Sequence, residues 1–349
     1  MLQKSALILL PAIIVVVLVE LSARSLFPEF TDDEAFLNRA YSHLLNSDVR
    51  VNTKNDNYSK KFGFALSPNA ERTFTTEEFT YTSKTNSIGF RTKDIRSRND
   101  SEYRVMLLGD SMFYGIGVQE SGMVSSLLEQ QGKPGLSVYN YAVTGYNTVQ
   151  ELLVAETYTE ALAPDHIILG FFIANDILPN AIAFIDEDGN YRTSVEMESM
   201  VRNKLREGMG FLYHFTSSRI IADRICIPRL RYIISTDYEL ISNSYAVLSD
   251  MEYFAMAHDA RFSVVRMYPK DSVQGGLVQA WSNSRAVGEL IHTYCTQNSI
   301  EVLDLIEYMN TASHKDRYFF KYDGHPNEEG NALIAEAIYK NLIEPYRNP

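Results

Sequence analysis

Cysteine is almost missing from this chain: 349 residues carry two, Cys226 and Cys295. One disulfide is the most they can form, so the fold is not a disulfide scaffold, and two buried free thiols are the plainer expectation. Tryptophan occurs once, at Trp281, in an aromatic-rich helix that reads as core. Positive charge is also short. Lys and Arg number 32 against 44 Asp and Glu, a net charge of −12, which excludes nucleic-acid binding through a general basic field. There is no Walker A loop, no dinucleotide Gly-x-Gly-x-x-Gly and no His-Glu-x-x-His, and the histidines form no metal-spaced pair, so neither cofactor nor metal is expected. What the chain does have is apolar and aromatic mass. Hydrophobic residues make up 45%, with 18 Phe and 22 Tyr, which excludes disorder. The length suits one large domain with a small appendage.

Long apolar runs are confined to the N-terminus, where Ala6–Val19 is unbroken between Lys4 and Glu20. At 1.5 Å per residue this run spans about 21 Å, short of a hydrocarbon core of about 30 Å. Leu2 and Leu21–Ala23 bring it near that length. Three readings compete: an uncleaved membrane anchor, a cleaved signal segment and a buried helix. Leu21 is a poor residue three before a cut at Ala23, and no cysteine follows the run for lipid attachment. An anchor over 1–24 is the expectation, with the rest of the chain extracytoplasmic, periplasmic or at the cell surface.

Residues 25–102 read as a polar, irregular connector, with strand propensity in Thr73–Thr82 and a turn at Asn86–Arg91. From 103 the pattern changes. Short apolar strands at Arg104–Leu108, Leu136–Val143, His166–Ile173, Arg261–Met267 and Ile300–Leu303 alternate with helical stretches at Ser121–Gln131, Thr148–Leu162, 238–258, 276–298 and 328–344. Such alternation predicts an α/β fold with a parallel sheet covered on both faces. The stretch 177–237 interrupts the rhythm and reads as an insertion. It holds a hairpin signal at Asp186–Asn190 and a basic run, seven Lys and Arg against two acids between Arg202 and Arg231. That run suits an anionic glycan or lipid headgroup, or simply a solvated helix face.

Four weak signals lie where an open α/β sheet carries its chemistry, past the carboxyl ends of strands. Gly109-Asp110-Ser111 follows the first core strand and offers a hydroxyl nucleophile. Gly145 lies just past the second strand, where a backbone N–H can approach a ligand closely. Asn175 follows the third and carries an amide donor. Asp323-Gly324-His325 precedes the last helix and supplies a base with a carboxylate beside it. Each has a bland alternative: a turn glycine, a helix cap, a decorated loop.

Taken together, in the order Ser, Gly, Asn, then Asp and His, these residues resemble the SGNH or GDSL-type hydrolases, over about residues 103–345. The resemblance implies a three-layer α/β/α fold with a five-stranded parallel, flavodoxin-like sheet. It also implies roles: Ser111 as nucleophile, His325 as base, Asp323 orienting His325, and an oxyanion hole from the Ser111 N–H, the Gly145 N–H and the Asn175 amide. Two departures stand out. The commoner spacing is Asp-x-x-His, and Tyr322 occupies that expected position; Ile173 stands where a glycine is usual. The anchor, Leu66–Asn69 and Asn86–Arg91 are similar to membrane-anchored members associated with bacterial surface polysaccharides.

The expected function is a serine ester hydrolase acting on O-acyl groups, chiefly acetyl esters of cell-surface carbohydrate, with an acylated carbohydrate or small ester as substrate. An O-acetyltransferase of exported polysaccharide with the same machinery, served by a membrane acyl-donor protein, is the alternative. A non-catalytic anchored scaffold is the third. The partners expected are this substrate and the membrane, and no nucleic acid.

Overall fold

The structure is a computed structural model of the chain, described over residues 15–44, 57–99, 101–221, 227–274, 284–310 and 315–347. Four short strands come first: β1 (Asn57–Ser59), β2 (Gly63–Ala65), β3 (Glu71–Thr75) and β4 (Thr80–Lys84), forming two antiparallel pairs. The main sheet is built from β5 (Tyr103–Gly109), β6 (Leu136–Asn140) and β7 (His166–Phe172). A small hairpin follows, β8 (Ala183–Ile185) with β9 (Tyr191–Thr193), and then β10 (Arg261–Met267) and β11 (Glu301–Asp304) complete the sheet.

All five main strands run parallel, in the order β11-β10-β7-β5-β6. Every residue of β6 and β7 is buried, as a sheet covered on both faces requires. Each fully buried Ile, Leu or Phe contributes about 1.5–3 kcal/mol of apolar transfer. The chain leaves β5 to form β6 on one side, then crosses back to form β7 on the other. The reversal creates a crevice between the carboxyl ends of β5 and β7, the position where such sheets bind ligands.

Charged residues at the sheet are paired. Arg104 donates to Glu102 through Nη2 at 3.0 Å, and Glu102 also holds Ser137 and the Asn99 N–H. Burial would raise the Glu102 carboxyl, but these donors bring it down to about 2. His166 is buried against the Ser263 hydroxyl at 2.7 Å. Desolvation holds its imidazole neutral, near 3. Cys295 is a buried free thiol pushed up to about 12 by burial, while Cys226 lies outside the described residues.

The stretch 25–102 is more ordered than its polarity suggests. A helix, Asp33–Leu44, buries Phe36, Leu37, Ala40 and Tyr41 in a second core with Val201, Leu205 and Leu240. Facing it, the helix Val195–Met209 is the start of the basic run. That run is largely matched from across this interface. Arg202 donates to Asn38 at 2.8 Å and lies over the Tyr41 ring, Arg206 meets Glu34 at 3.4 Å, and Arg219 meets Asp33. Lys204 meets Asp237 at 2.5 Å. These four of the seven cations of the run have partners within the chain, and Arg224 lies outside the described residues.

Most of Ala6–Val19 lies outside the described residues. Among the described residues no helix is long and apolar enough to cross a membrane, so the expected spanning helix has no support there. The helix over 15–26 exposes Val15 to Val19, yet it is tied to the protein at Glu20. The Glu20 carboxylate accepts the Thr216 N–H at 2.8 Å and the Ser217 N–H at 3.0 Å. Trp281 also falls outside the described residues, and the expected helix 276–298 is seen as Ser284–Gln297.

Candidate active site

β5 delivers Gly109, Asp110 and Ser111 to the crevice, and Ser111 begins a one-turn helix, Ser111–Tyr114. That helix lies directly on the sheet because β5 and β7 meet there as Gly109 opposite Gly170. The Phe113 ring fills the space; a Cβ at Gly170 would come within 2.7 Å of it. A larger residue at 170 would push the helix, and Ser111 with it, off the strand end.

Asp110 is buried and does two things. One oxygen caps the helix, accepting the Met112 N–H at 2.9 Å. The other accepts from Asn175 Nδ2 at 2.7 Å, with the Ser111 hydroxyl 3.5 Å away. The Asn175 amide is thereby turned nitrogen-first toward the Asp110–Ser111 corner, while its buried oxygen has no partner in the structure. Burial raises the Asp110 carboxyl above the ordinary range, against the Met112 and Asn175 donors and the charge of His325.

Beside Asp110 stand two more buried carboxyls, Glu151 and Asp176, both fully buried. Burial first, then repulsion from neighbouring acids, raises both well above the ordinary range. Both Glu151 oxygens lack hydrogen-bond partners in the structure. Burial away from water disfavours the charged form of both.

Gly145 follows β6 with φ +84°, a left-handed turn that a side chain would strain. The turn runs into the helix Thr148–Leu162, which Asn147 and Gln150 start with a reciprocal capping box. It is tied to the early hairpins by Tyr146 Oη donating to the Phe64 carbonyl at 2.6 Å, and by Gln150 Nε2 donating to the Phe62 carbonyl at 2.7 Å.

The Asp323–His325 loop lies before the helix Glu328–Ile338, which Asn327 caps by accepting the Gly330 N–H at 3.0 Å. Asp323 Oδ1 accepts from His325 Nδ1 at 2.6 Å and from the His325 N–H at 2.9 Å. The one-residue gap, unusual against the commoner spacing, thus still brings carboxylate and imidazole together. Burial pushes the Asp323 carboxyl up, but the His325 hydrogen bond and charge, with Lys270 nearby, leave it below the ordinary range. A carboxylate at Nδ1 fixes the proton there and leaves Nε2 free to accept one.

Arg91 is a site residue the sequence did not single out. Its guanidinium is buried under the loop that follows Ser111 and donates to the carbonyls of Tyr114 (3.1 Å), Gly115 (2.7 Å), Val118 (2.9 Å) and Thr82 (3.2 Å). The glycine-flanked Gly115-Ile116-Gly117 loop is therefore clamped. A Cβ at Gly117 would also stand 2.4 Å from the Phe320 ring. Asp110 was visible only as the middle of a motif, and Arg91 only as the end of the ordered stretch Asn86–Arg91.

Of the predicted residues, Ser111 and Asn175 meet through Asp110, His325 meets Asp323, and Gly145 sits past β6, beside β5 on the same sheet edge. No curated protein matches the chain. Among solved structures it is similar to a member of the lipolytic G-D-S-L family from Veillonella parvula, at 15% identity and TM-score 0.42 over 69% of this chain and 98% of that one. A lipase/acylhydrolase from Enterococcus faecalis aligns at 13% identity and TM-score 0.41, over 70% of this chain and 96% of that one. The psychrotrophic esterase EstA from a Pseudoalteromonas species aligns at 12% identity and TM-score 0.38, over 71% of this chain and all of that one, 100%. The family model of the GDSL-like lipase/acylhydrolases matches residues 105–338, from the middle of β5 to the end of the capped helix after His325. With a match over most of its length, enclosing every block of the site, the chain belongs to the GDSL-like lipase/acylhydrolase family.

Proposed function

We propose that the protein is a serine ester hydrolase that removes O-acyl, chiefly O-acetyl, groups from cell-surface carbohydrate. Family membership supports ester hydrolysis. The observation that carries the catalytic reading is the 2.6 Å contact of Asp323 with His325 Nδ1, which leaves Nε2 as a base.

In this reading the Ser111 Oγ attacks the ester carbonyl carbon as its proton passes to His325 Nε2. The carbonyl oxygen becomes an oxyanion held by the Ser111 N–H, the Gly145 N–H and the second N–H of the Asn175 amide. Collapse expels the alcohol, which takes the proton back from His325, and leaves Ser111 acylated. Water, deprotonated by His325, then attacks the acyl carbon and releases the carboxylic acid. Asp323 holds the imidazole in one tautomer throughout and stabilises its charged form.

The N-terminal segment is proposed to hold the enzyme at the outer face of a membrane. The apolar run Ala6–Val19, whose described end exposes Val15 to Val19, supports this. Recovery of the full chain in the membrane fraction checks it; recovery in the soluble fraction would remove it.

The test of the catalysis is hydrolysis of an activated acetyl ester and covalent labelling by a fluorophosphonate. Both are expected in the wild type, and Ser111→Ala is expected to lose both, with hydrolysis falling by at least about 10³-fold. A wild-type protein that neither hydrolyses the ester nor takes the label would sink the reading. Release of acetate from an acetylated surface glycan then checks the substrate class.

A further inference from the structure

We propose that Glu78, at the tip of the β3–β4 hairpin, is the positioning residue for the Asp323–His325 pair, which makes this hairpin part of the active site. The proposal rests on the catalytic reading above for the importance of that pair.

The hairpin tip is built to aim one side chain. β3 and β4 pair as far as Thr75 opposite Thr80, leaving Thr76, Glu77, Glu78 and Phe79 as the turn. Thr76 closes it, donating its N–H to the Phe79 carbonyl at 2.9 Å and accepting the Glu78 and Phe79 N–H groups on its hydroxyl, each at 3.2 Å. One Glu78 carboxylate oxygen then accepts two successive backbone donors, the Tyr322 N–H at 2.9 Å and the Asp323 N–H at 2.8 Å. Hydrogen bonds to a charged acceptor are the stronger kind, and two on neighbouring amides fix the peptide that carries the Asp323 side chain. Glu77, one residue earlier, is exposed.

Two further contacts hold the same loop. The Phe79 ring lies 4.6 Å from that of Phe320. Lys270 Nζ donates to the Phe320 carbonyl at 2.7 Å and the Lys321 carbonyl at 2.6 Å. Carbonyls of the loop are thus held by a cation and the following amides by an anion. The Asp323 carboxylate depends on this frame, because its own bonds are to His325 alone within the loop. Released from Glu78, Asp323 can turn away, and the imidazole loses its tautomer lock. A misplacement near 1 Å in such a group costs about 10²-fold in rate.

The experiment compares wild type, Glu78→Ala, Glu78→Gln and Glu77→Ala by acetyl-ester kinetics across pH, thermal melting, and the downfield proton signal of the His325 Nδ1–H. Glu78→Ala is expected to lower kcat by about 10- to 100-fold with KM within about twofold, to displace the acidic limb of the pH profile, and to lose or shift the downfield signal. Gln keeps an acceptor oxygen, so Glu78→Gln is expected to restore most of kcat and the signal. Glu77→Ala is expected to behave as wild type. A Glu78→Ala protein with wild-type kcat, profile and signal overturns the proposal. So does loss of activity that Gln fails to restore and that follows the melting temperature. If the wild type takes no fluorophosphonate, the catalytic reading fails, while the signal still reports whether Glu78 positions the pair.

Discussion

Two regions are added to the five-stranded core, and they attach to it by different physics. Residues 57–99 send Phe62 and Phe90 into the main core and, among the described residues, close no core of their own. They reach the site through polar groups aimed at backbone: Arg91 at the carbonyls after Ser111, the Phe62 and Phe64 carbonyls receiving Gln150 and Tyr146 beside Gly145, and Glu78 at the amides of Tyr322 and Asp323. The helices of 195–237 do the opposite. With Asp33–Leu44 they close a separate apolar core around Phe36, Leu37 and Val201, and Arg206 and Arg219 meet Glu34 and Asp33 within that unit. The first arrangement transmits geometry to the catalytic loops, since each bond fixes one backbone group. The second supplies stability, since apolar contact is roughly proportional to area and has little direction.

The sharpest test of that division is Phe36→Ala. Phe36 is fully buried in the second core, so its truncation is expected to cost about 3–5 kcal/mol by denaturant unfolding. The kcat on a small ester, measured where the protein is still folded, is expected to stay within twofold. A large fall in kcat at full folding would break the comparison. Next is Arg91→Leu, which strips four carbonyls of their donor and is expected to cost about 3 kcal/mol. Here activity is expected to fall with stability, by at least tenfold in kcat on the same ester.

The smallest effect concerns the helix over 15–26. Burial acts to raise the Glu20 carboxyl, but its Thr216, Ser217 and Arg24 donors bring it to about 2, against 4.5 for an ordinary Glu. A lowered folded value means the contribution is present above about 4.5 and is lost as pH falls toward about 2. The melting-temperature difference between wild type and Glu20→Gln is therefore expected to be clear at pH 6, to shrink as pH falls below about 4.5 and to vanish only near pH 2. A difference independent of pH would show that Glu20 acts by shape alone.

The core was legible in the sequence because a sheet buried on both faces writes itself as continuous apolar runs; β7 is His166–Phe172 where His166–Ile173 was expected. The Asp186–Asn190 turn was equally plain, with β8 and β9 on either side. The helix Asp33–Leu44 was hidden because its apolar stripe is narrow and flanked by acids. The basic run read as a patch or a solvated face for a related reason: the acids that meet Arg206 and Arg219, Glu34 and Asp33, lie more than 160 residues away in the chain. At the site, residue types with their own chemistry could be picked out, but those acting through the backbone could not. Glu77 and Glu78 are neighbours of one kind in a polar turn, and only the hairpin register decides which one faces Asp323.

The link from Glu78 to Asp323 spans 245 residues. A ribosome emits the hairpin in the first quarter of the chain and the loop it holds near the very end. Closing so long a loop is entropically late work. During synthesis the chain therefore carries Ser111 for most of its length before the Asp323–His325 pair can be locked in place. On the proposed mechanism, a truncated product would hold Ser111 without its base, so ester hydrolysis would wait until the last helix has docked.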